Sequence, residues 1–277
     1  MVPPADAEAL VWAHPDRPAG LAEVLAAHPG IGWVQLPWAG VEPYRAVLDA
    51  DRTWTSGKGV YAEPVAEHAL ALLLAGLRNL VGYSRATQWS PPVGLNLLDG
   101  RVTVVGGGGI TEALLPLLAP WRVEVTVVRR HPVPMHGAAA VVGAGQLHDA
   151  LVDADGVILA LALLPETVAL IGAAELALMK PTAWLVNVAR GAHVVTDDLV
   201  VALRDRRIGG AALDVTDPEP LPEGHPLWSV PNCLITPHTA NTPEMARPLL
   251  AARVAENVRR RAAGHPLLGI VDPMLGY

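Results

Sequence analysis

The chain has 277 residues, of which 51% are hydrophobic and only 17% charged, against a usual charged share of about 25%. Its 20 basic and 27 acidic residues give a net charge of −7, which argues against a nucleic-acid partner, since that would need a basic face. The longest uncharged apolar stretches, such as Ala69 to Leu77, fall short of the roughly 20 residues that a membrane-crossing helix needs.

In chain order, the runs Leu10 to Ala13 and Ile31 to Leu36 read as strands, and a long helix follows from about Glu63 to Leu80. Pro91-Pro92 with Gly94 reads as a hinge, because two prolines stop a helix and stiffen its exit. From Leu98 onward, short apolar runs alternate with helical or turn segments: Val102 to Val105, Val123 to Val128, Ala139 to Val142, Val157 to Ala160, Trp184 to Val188, Ala211 to Val215 and Leu234 to Thr236. Nearly every position in these runs is apolar, so the strands should be buried on both faces, as in a parallel sheet covered by helices. Pro243 to Ala263 reads as a helix that returns to the first unit and stops at Gly264-His265-Pro266, with Arg259 to Arg261 suited to its C-terminal end. The expected fold is α/β. A Rossmann-type doubly wound dinucleotide-binding domain spans residues 93–243, and a smaller, discontinuous substrate domain spans 1–92 and 244–277.

Arg101 to Thr111 reads RVTVVGGGGIT, a buried strand entering a glycine turn that opens a helix over Glu112 to Leu118. In a dinucleotide fold the first glycine makes the tight turn, the second lets the backbone approach a pyrophosphate, and the third lets helix and strand pack closely. Gly106 and Gly108 fill the first two roles, Gly109 and Ile110 complete the expected contacts, and Thr111 replaces the third glycine, which should push the helix outward. The alternative is a glycine-lined turn with no ligand. The next strand ends in Arg129-Arg130-His131, where an acidic residue for the ribose 2′-hydroxyl usually sits. Paired guanidiniums can hold a 2′-phosphate, so NADP is expected over NAD, the alternative being two solvated arginines.

Three polar residues each follow a strand-like run: Arg190 in VNVARG, Glu219 in DPEPLP and His238 in ITPHTAN. A parallel sheet delivers such strand ends to one crevice. A cation, a carboxylate and an imidazole are what carbonyl reduction requires: the cation holds an anionic substrate, the imidazole passes a proton, and the carboxylate keeps the imidazole charged. His68, beside Glu67 on the long helix, reads as a packing residue, with an approach to the interdomain cleft as the alternative. No His/Cys/Asp spacing suggests a metal site. Cys233 reads as a buried, inert thiol, and being alone it can form no internal disulfide. Met1 to Asp6 lacks the basic start and apolar core of a secretory leader, so the expected compartment is the cytoplasm.

With these segments the chain resembles the D-isomer-specific 2-hydroxyacid dehydrogenase family, which includes glyoxylate and hydroxypyruvate reductases. The glycine turn, LLPETVALIGAAELALMKPTAWLVNVARG, DDLVVALRDRRIGGAALDVTDPEPLPEGHPLW, NCLITPHTAN, VQLPWAGVEPY, EPVAEHALALLL and the tail RVAENVRRRAAGHPLLGIVDP carry the likeness along nearly the whole chain. The resemblance implies a flavodoxin-like substrate domain, Arg190 on the substrate carboxylate and keto oxygen, His238 as acid/base, and Glu219 as its partner. It also implies Asp214 on the nicotinamide carboxamide with Ala189 among the cofactor contacts, and backbone N–H groups of Trp38, Ala39, Gly40 and Val41 on the substrate carboxylate. Relatives usually carry a further strand-helix-strand unit first, so the substrate domain is expected to be truncated by about 30 to 40 residues at its N-terminus. The combined expectation is a cytoplasmic, homodimeric NAD(P)-dependent 2-hydroxyacid dehydrogenase of EC class 1.1.1, preferring NADP, acting on glyoxylate or hydroxypyruvate, with no membrane partner. Its rival is a non-catalytic dinucleotide-binding regulator of the same fold.

Overall fold

The computed structural model describes residues 5–14 and 17–274, so most of the segment read for a leader lies outside them. The chain forms two compact units, one of Met1–Tyr61 with Thr242–Tyr277 and one of Ala62–Asn241.

In the first unit, β1 (Ala9–Val11), β2 (Trp33–Gln35) and β3 (Thr53–Thr55) form a parallel sheet in that order. The connection from β1 to β2 is α1 (Pro18–Ala27), whose Pro18 sits in the first turn, where its missing N–H costs nothing. Leu21 and Leu25 of α1 join Ile31, Val34, Leu36, Tyr44 and Trp54 in the core. Strand β3 carries no apolar run, which is why the sequence reading passed over it. It is held by its fully buried centre, Trp54, and by Thr55, whose hydroxyl donates to Gln35 Oε1 at 2.8 Å and accepts from Trp33 Nε1 at 2.8 Å.

The second unit opens with α2 (Ala62–Leu77) and α3 (Leu80–Ser84). The single helix expected to Leu80 is broken because Asn79 takes a left-handed φ of 52°. The sheet contains β4 (Arg101–Val105), β5 (Glu124–Arg129), β6 (Ala140–Gly143), β7 (Gly156–Leu159), β8 (Trp184–Asn187), β9 (Gly210–Leu213) and β10 (Cys233–Ile235). All seven strands are parallel, in the order β10-β9-β8-β7-β4-β5-β6, so the winding reverses between β4 and β7. Open α/β sheets bind ligands outside the carboxyl ends of the strands at such a reversal.

Alternation along each strand sends side chains to two cores. Val102, Val104, Ile158, Trp184, Val186 and Ala212 pack with Ala66, Ala69, Leu73 and Leu77 of α2 and with Leu114, Leu115 and Leu118 of α4 (Gly109–Leu118). On the other face Val105, Val157, Leu159, Leu185 and Leu213 pack with α5 (Leu147–Val152), α6 (Ala173–Leu178) and α7 (Thr196–Arg204). Because α2 buries its apolar stripe on this sheet, the boundary between the units lies at Tyr61/Ala62 and not at Pro92/Val93, where the prolines had suggested it. After the short α8 (Pro226–Ser229) and β10, the chain returns to the first unit as α9 (Pro243–Ala262), whose last turn holds Arg259, Arg260 and Arg261. Among the described residues, no helix is long and apolar enough to cross a membrane.

Candidate active site

Arg190, Glu219 and His238 stand on the loops that leave β8, β9 and β10, at the carboxyl edge of the large sheet. Buried Asn187 at the end of β8 shapes the first loop. Its Nδ2 donates to the Arg190 carbonyl at 2.9 Å and its Oδ1 accepts from the Ala189 N–H at 3.0 Å, which closes the turn on which Arg190 sits. Arg190 Nη1 in turn donates to the Ala189 carbonyl at 2.7 Å. Gly191 presses the same loop onto the next one, since a Cβ there would lie 1.9 Å from the Thr216 carbonyl oxygen. A side chain at this position would separate the loop that carries Arg190 from the loop that carries Glu219. The glycine written in VNVARG is thus required by a backbone contact.

Glu219 and His238 form the central pair, with Nδ1 of the imidazole 2.7 Å from Oε1 of the carboxylate. A carboxylate only accepts, so Nδ1 carries hydrogen and Nε2 is left for a reacting group. The hydrogen bond to Glu219 raises the His238 pKa above 6.5, and the charges of Glu219 and Asp214 add to this. Burial and the positive charge of Arg190 oppose it. The Glu219 pKa is lowered, first by the bond to His238 and further by the backbone at Thr216 and the charge of Arg190, against burial. Both side chains stay accessible, with His238 at 53% and Glu219 at 41% exposure.

Behind this pair lies an arrangement that the sequence reading missed. Asp214, buried just past β9, accepts from Thr236 Oγ1 at 2.6 Å and from the N–H groups of Thr239 at 2.8 Å and Ala240 at 3.0 Å. Its carbonyl accepts the His238 N–H at 2.8 Å. Asp214 therefore holds the loop in which His238 takes a φ of +53°, a left-handed conformation uncommon for a residue other than glycine. The Thr236 hydroxyl gives its proton to Asp214, so it accepts from His68 Nε2 at 3.1 Å, and that nitrogen also lies 3.3 Å from Asp214 Oδ1. His68 is thus a member of the network, not only a packing residue of α2. Burial alone would raise the Asp214 pKa, but the hydrogen bonds from His68, Thr236, Thr239 and Ala240 outweigh it and bring it to about 2. One acceptor position of Oδ2, which takes only the Ala240 N–H, remains for a ligand amide.

The glycine turn lies where the winding reverses. Gly106 has a φ of +116°, and a Cβ there would lie 2.1 Å from the Ala160 carbonyl oxygen just past β7, so the turn is possible only for glycine. Among the described residues, the backbone N–H groups of Gly107, Gly108, Gly109 and Ile110 donate to no acceptor, and space beside Gly108 is open to 4 Å around a built Cβ. Free amides at the start of α4, with the positive end of its dipole, suit a diphosphate, so the residues present fit a dinucleotide. The two arginines part company: Arg129 lies across the turn, its Cδ and Nε 2.7 Å from a Cβ built on Gly107, whereas exposed Arg130 pairs with Glu166. In the first unit, the N–H groups of Trp38, Ala39, Gly40 and Val41 donate to no acceptor among the described residues. Tyr61 Oη donates to the Pro37 carbonyl at 2.5 Å, Trp38 meets Tyr61 edge to face, and the Gly57 N–H holds the Trp38 carbonyl at 2.8 Å. Burial pushes the Cys233 thiol up to about 12, which leaves it chemically inert.

Comparison with known proteins identifies the family of the chain. Residues 70–240 match the family model described as D-isomer specific 2-hydroxyacid dehydrogenase, NAD binding domain. A glyoxylate/hydroxypyruvate reductase A of Photorhabdus laumondii is 33% identical over 291 residues, covering 97% of this chain and 87% of the relative. A protein of Corynebacterium melassecola is 40% identical over 255 residues, covering 89% and 84% of the two chains. Among solved structures, a D-isomer specific 2-hydroxyacid dehydrogenase from Xanthobacter autotrophicus Py2, crystallised with NADPH and MES, superimposes with a TM-score of 0.84 at 31% identity, covering 99% of this chain and 87% of that one.

Proposed function

Because this chain belongs to the D-isomer specific 2-hydroxyacid dehydrogenase family, we propose that it reduces a small 2-keto acid to the 2-hydroxy acid with His238 as proton donor. The observation that carries this reading is the 2.7 Å bond between Glu219 and His238 beside the charge of Arg190. In this reading Arg190 takes the substrate carboxylate and keto oxygen in its planar fork, which fixes the carbonyl relative to the imidazole. In the first unit, taken by itself, the amides of Trp38, Ala39, Gly40 and Val41, which meet no acceptor among the described residues, are the groups proposed for a substrate carboxylate. His238 Nε2 then delivers its proton to the keto oxygen as negative charge develops there, and Glu219 steadies the imidazolium beforehand through Nδ1. The chemistry supplied by a bound nicotinamide dinucleotide is delivery of a hydride to the keto carbon.

The amides of Gly107 to Ile110 are the groups to hold the diphosphate, Asp214 Oδ2 the nicotinamide carboxamide, and Ala189 a neighbouring contact. Arg129 across the glycine turn favours NADP over NAD. Arg130, already paired with Glu166, contributes less. Residues 62–241 then act as the dinucleotide-binding domain and the remainder as the substrate domain. Glyoxylate and hydroxypyruvate are the favoured substrates, a reading supported by the name of the Photorhabdus relative, and the activity proposed is of EC class 1.1.1. Exposed Leu80, Tyr83, Trp89, Val93, Leu95 and Leu98 form an apolar stretch that supports a homodimer, and the composition supports a cytoplasmic protein.

The test is oxidation of NADPH and of NADH across a panel of 2-keto acids. The expected result is turnover with glyoxylate or hydroxypyruvate and tighter binding of NADPH, with R129A narrowing the gap between cofactors more than R130A does. Equal affinity for the two cofactors would overturn the NADP preference. Reduction of no keto acid would put the regulator reading in its place.

A further inference from the structure

We propose that Thr111 is a positioning residue that locks the glycine turn into its ligand-ready shape through the carbonyl of Gly106. Thr111 stands where the dinucleotide motif has its third glycine, and its side chain was expected to force the helix away. Instead it is fully buried, and its hydroxyl donates to the Gly106 carbonyl at 2.7 Å. Leu114, Leu115 and Leu118 of the same helix keep their places against Val102 and Val104 of β4.

The consequence lies in the peptide that follows Gly106. This residue has the conformational freedom of a glycine at a φ of +116°, and a wide range of orientations is open to it in the absence of restraint. Its N–H is tied to the Val128 carbonyl at 2.8 Å, on the neighbouring strand. Its carbonyl lies before the first hydrogen-bonded turn of α4, which begins with the Glu112 N–H on the Gly108 carbonyl at 3.0 Å. The Thr111 hydroxyl supplies the missing restraint at that carbonyl. With that carbonyl held, the plane of the 106–107 peptide is set, and with it the direction of the Gly107 N–H, which points opposite to the carbonyl. The ordinary motif uses its third glycine to let helix and strand pack closely, and this chain puts there a buried side chain that holds the turn by a hydrogen bond.

The inference rests on the dinucleotide-binding reading, and its test separates the two. NADPH affinity is to be measured by calorimetry for the intact protein, T111V, T111S and T111G, alongside amide hydrogen exchange at Gly106 and Glu112. Valine keeps the volume and removes the hydroxyl, so T111V should bind NADPH about tenfold more weakly, as befits one lost hydrogen bond to a half-buried carbonyl. T111S should bind as the intact protein does, and T111G should fall with T111V because it removes the hydroxyl and frees the backbone. Exchange at Gly106 and Glu112 should quicken in T111V and T111G and stay unchanged in T111S. Tighter or equal binding by T111G, or unchanged exchange in T111V, overturns the inference. If the intact protein binds no dinucleotide, the cofactor reading falls while the exchange rates still decide whether Thr111 is a lock.

Discussion

The acid–base end and the glycine turn share one sheet edge but are built from different material. Around His238 the working parts are side chains brought from four places: the loops after β9 and β10 and the helix α2, which hydrogen bonds join to one another, and the loop after β8, which Asn187 closes on itself. At the glycine turn the working parts are backbone amides, and side chains matter chiefly by their absence, as at Gly106, or by restraining the backbone, as at Thr111. The difference teaches where each end tolerates change. A backbone site accepts a new residue if the peptide planes stay where they were, so Thr111 can stand for a glycine. A site made of paired charges is retuned or weakened by the loss of any one of them, since the partner left behind keeps its desolvation cost and loses its compensation.

The largest effect expected from this contrast is that of H238A. Removing the proton donor should lower kcat by about a hundredfold or more. NADPH affinity, set at the other end, should change by less than about twofold, a shift under about 0.4 kcal/mol. Single-turnover kinetics with glyoxylate and calorimetry with NADPH read the two quantities separately. Equal losses in both would show that the two ends do not act independently, and unchanged turnover on every keto acid reduced by the intact protein would remove His238 from the reaction.

The contrast also explains what could be read from the sequence. Arg190, Glu219 and His238 were visible because each is a polar residue closing an apolar strand, and a parallel sheet gathers such ends. The seven strands of the large sheet were legible for the same reason, being apolar on both faces. His68 and Asn187 were not, because each carries a polar group that looks like packing until its partner, distant in the chain for His68, is known: Thr236 and Asp214 for His68, the Arg190 carbonyl for Asn187. Strand β3 was hidden because Thr-Trp-Thr has no apolar run, and its burial depends on neighbours found only in the fold. The unit boundary was misjudged at Pro91-Pro92 because proline marks where a helix ends but not which sheet covers it. The helix α2 upstream belongs to the large sheet by its apolar stripe.

A smaller and more diagnostic effect is expected of E219Q. The hydrogen bond and charge of Glu219 raise the His238 pKa, and reduction requires the protonated imidazole. Activity should therefore be flat at low pH and fall as pH rises through that raised value, above the ordinary 6.5 of histidine. Glutamine can still accept the Nδ1 hydrogen through its amide oxygen, so the ring keeps its orientation, but the charge is gone. The falling limb of kcat/KM should move to lower pH with activity retained at its acidic end. A limb that stays in place would mean that Glu219 orients His238 without tuning it. NADPH affinity in this variant should again stay unchanged, which keeps the two ends apart.

The smallest effect, and the one that probes how the acid–base end is supported, belongs to His68. The Asp214 carboxyl is lowered to about 2 in the folded chain, against about 3.9 in an unfolded one. A group whose folded pKa is depressed lends stability above its unfolded value and loses it as pH falls toward the folded one, so this contribution is full above about pH 4 and gone near pH 2. For a carboxylate only 1% exposed, the gap corresponds to about 2.5 kcal/mol in all, shared among four donors, of which His68 is one. H68L removes that donor, and should cost about 1 kcal/mol of unfolding free energy at about pH 5, the usual net worth of one hydrogen bond. The deficit should shrink as pH falls toward 3, because Asp214 then begins to take up its proton in both proteins. H68Q, whose amide N–H can reach the place of Nε2, should restore most of the difference. Denaturant unfolding of the three proteins at both pH values decides the matter. A deficit for H68L that is the same at pH 5 and pH 3 would mean that His68 serves α2 by packing alone, and that the support of the His238 loop comes from Asp214, Thr236 and the backbone without it.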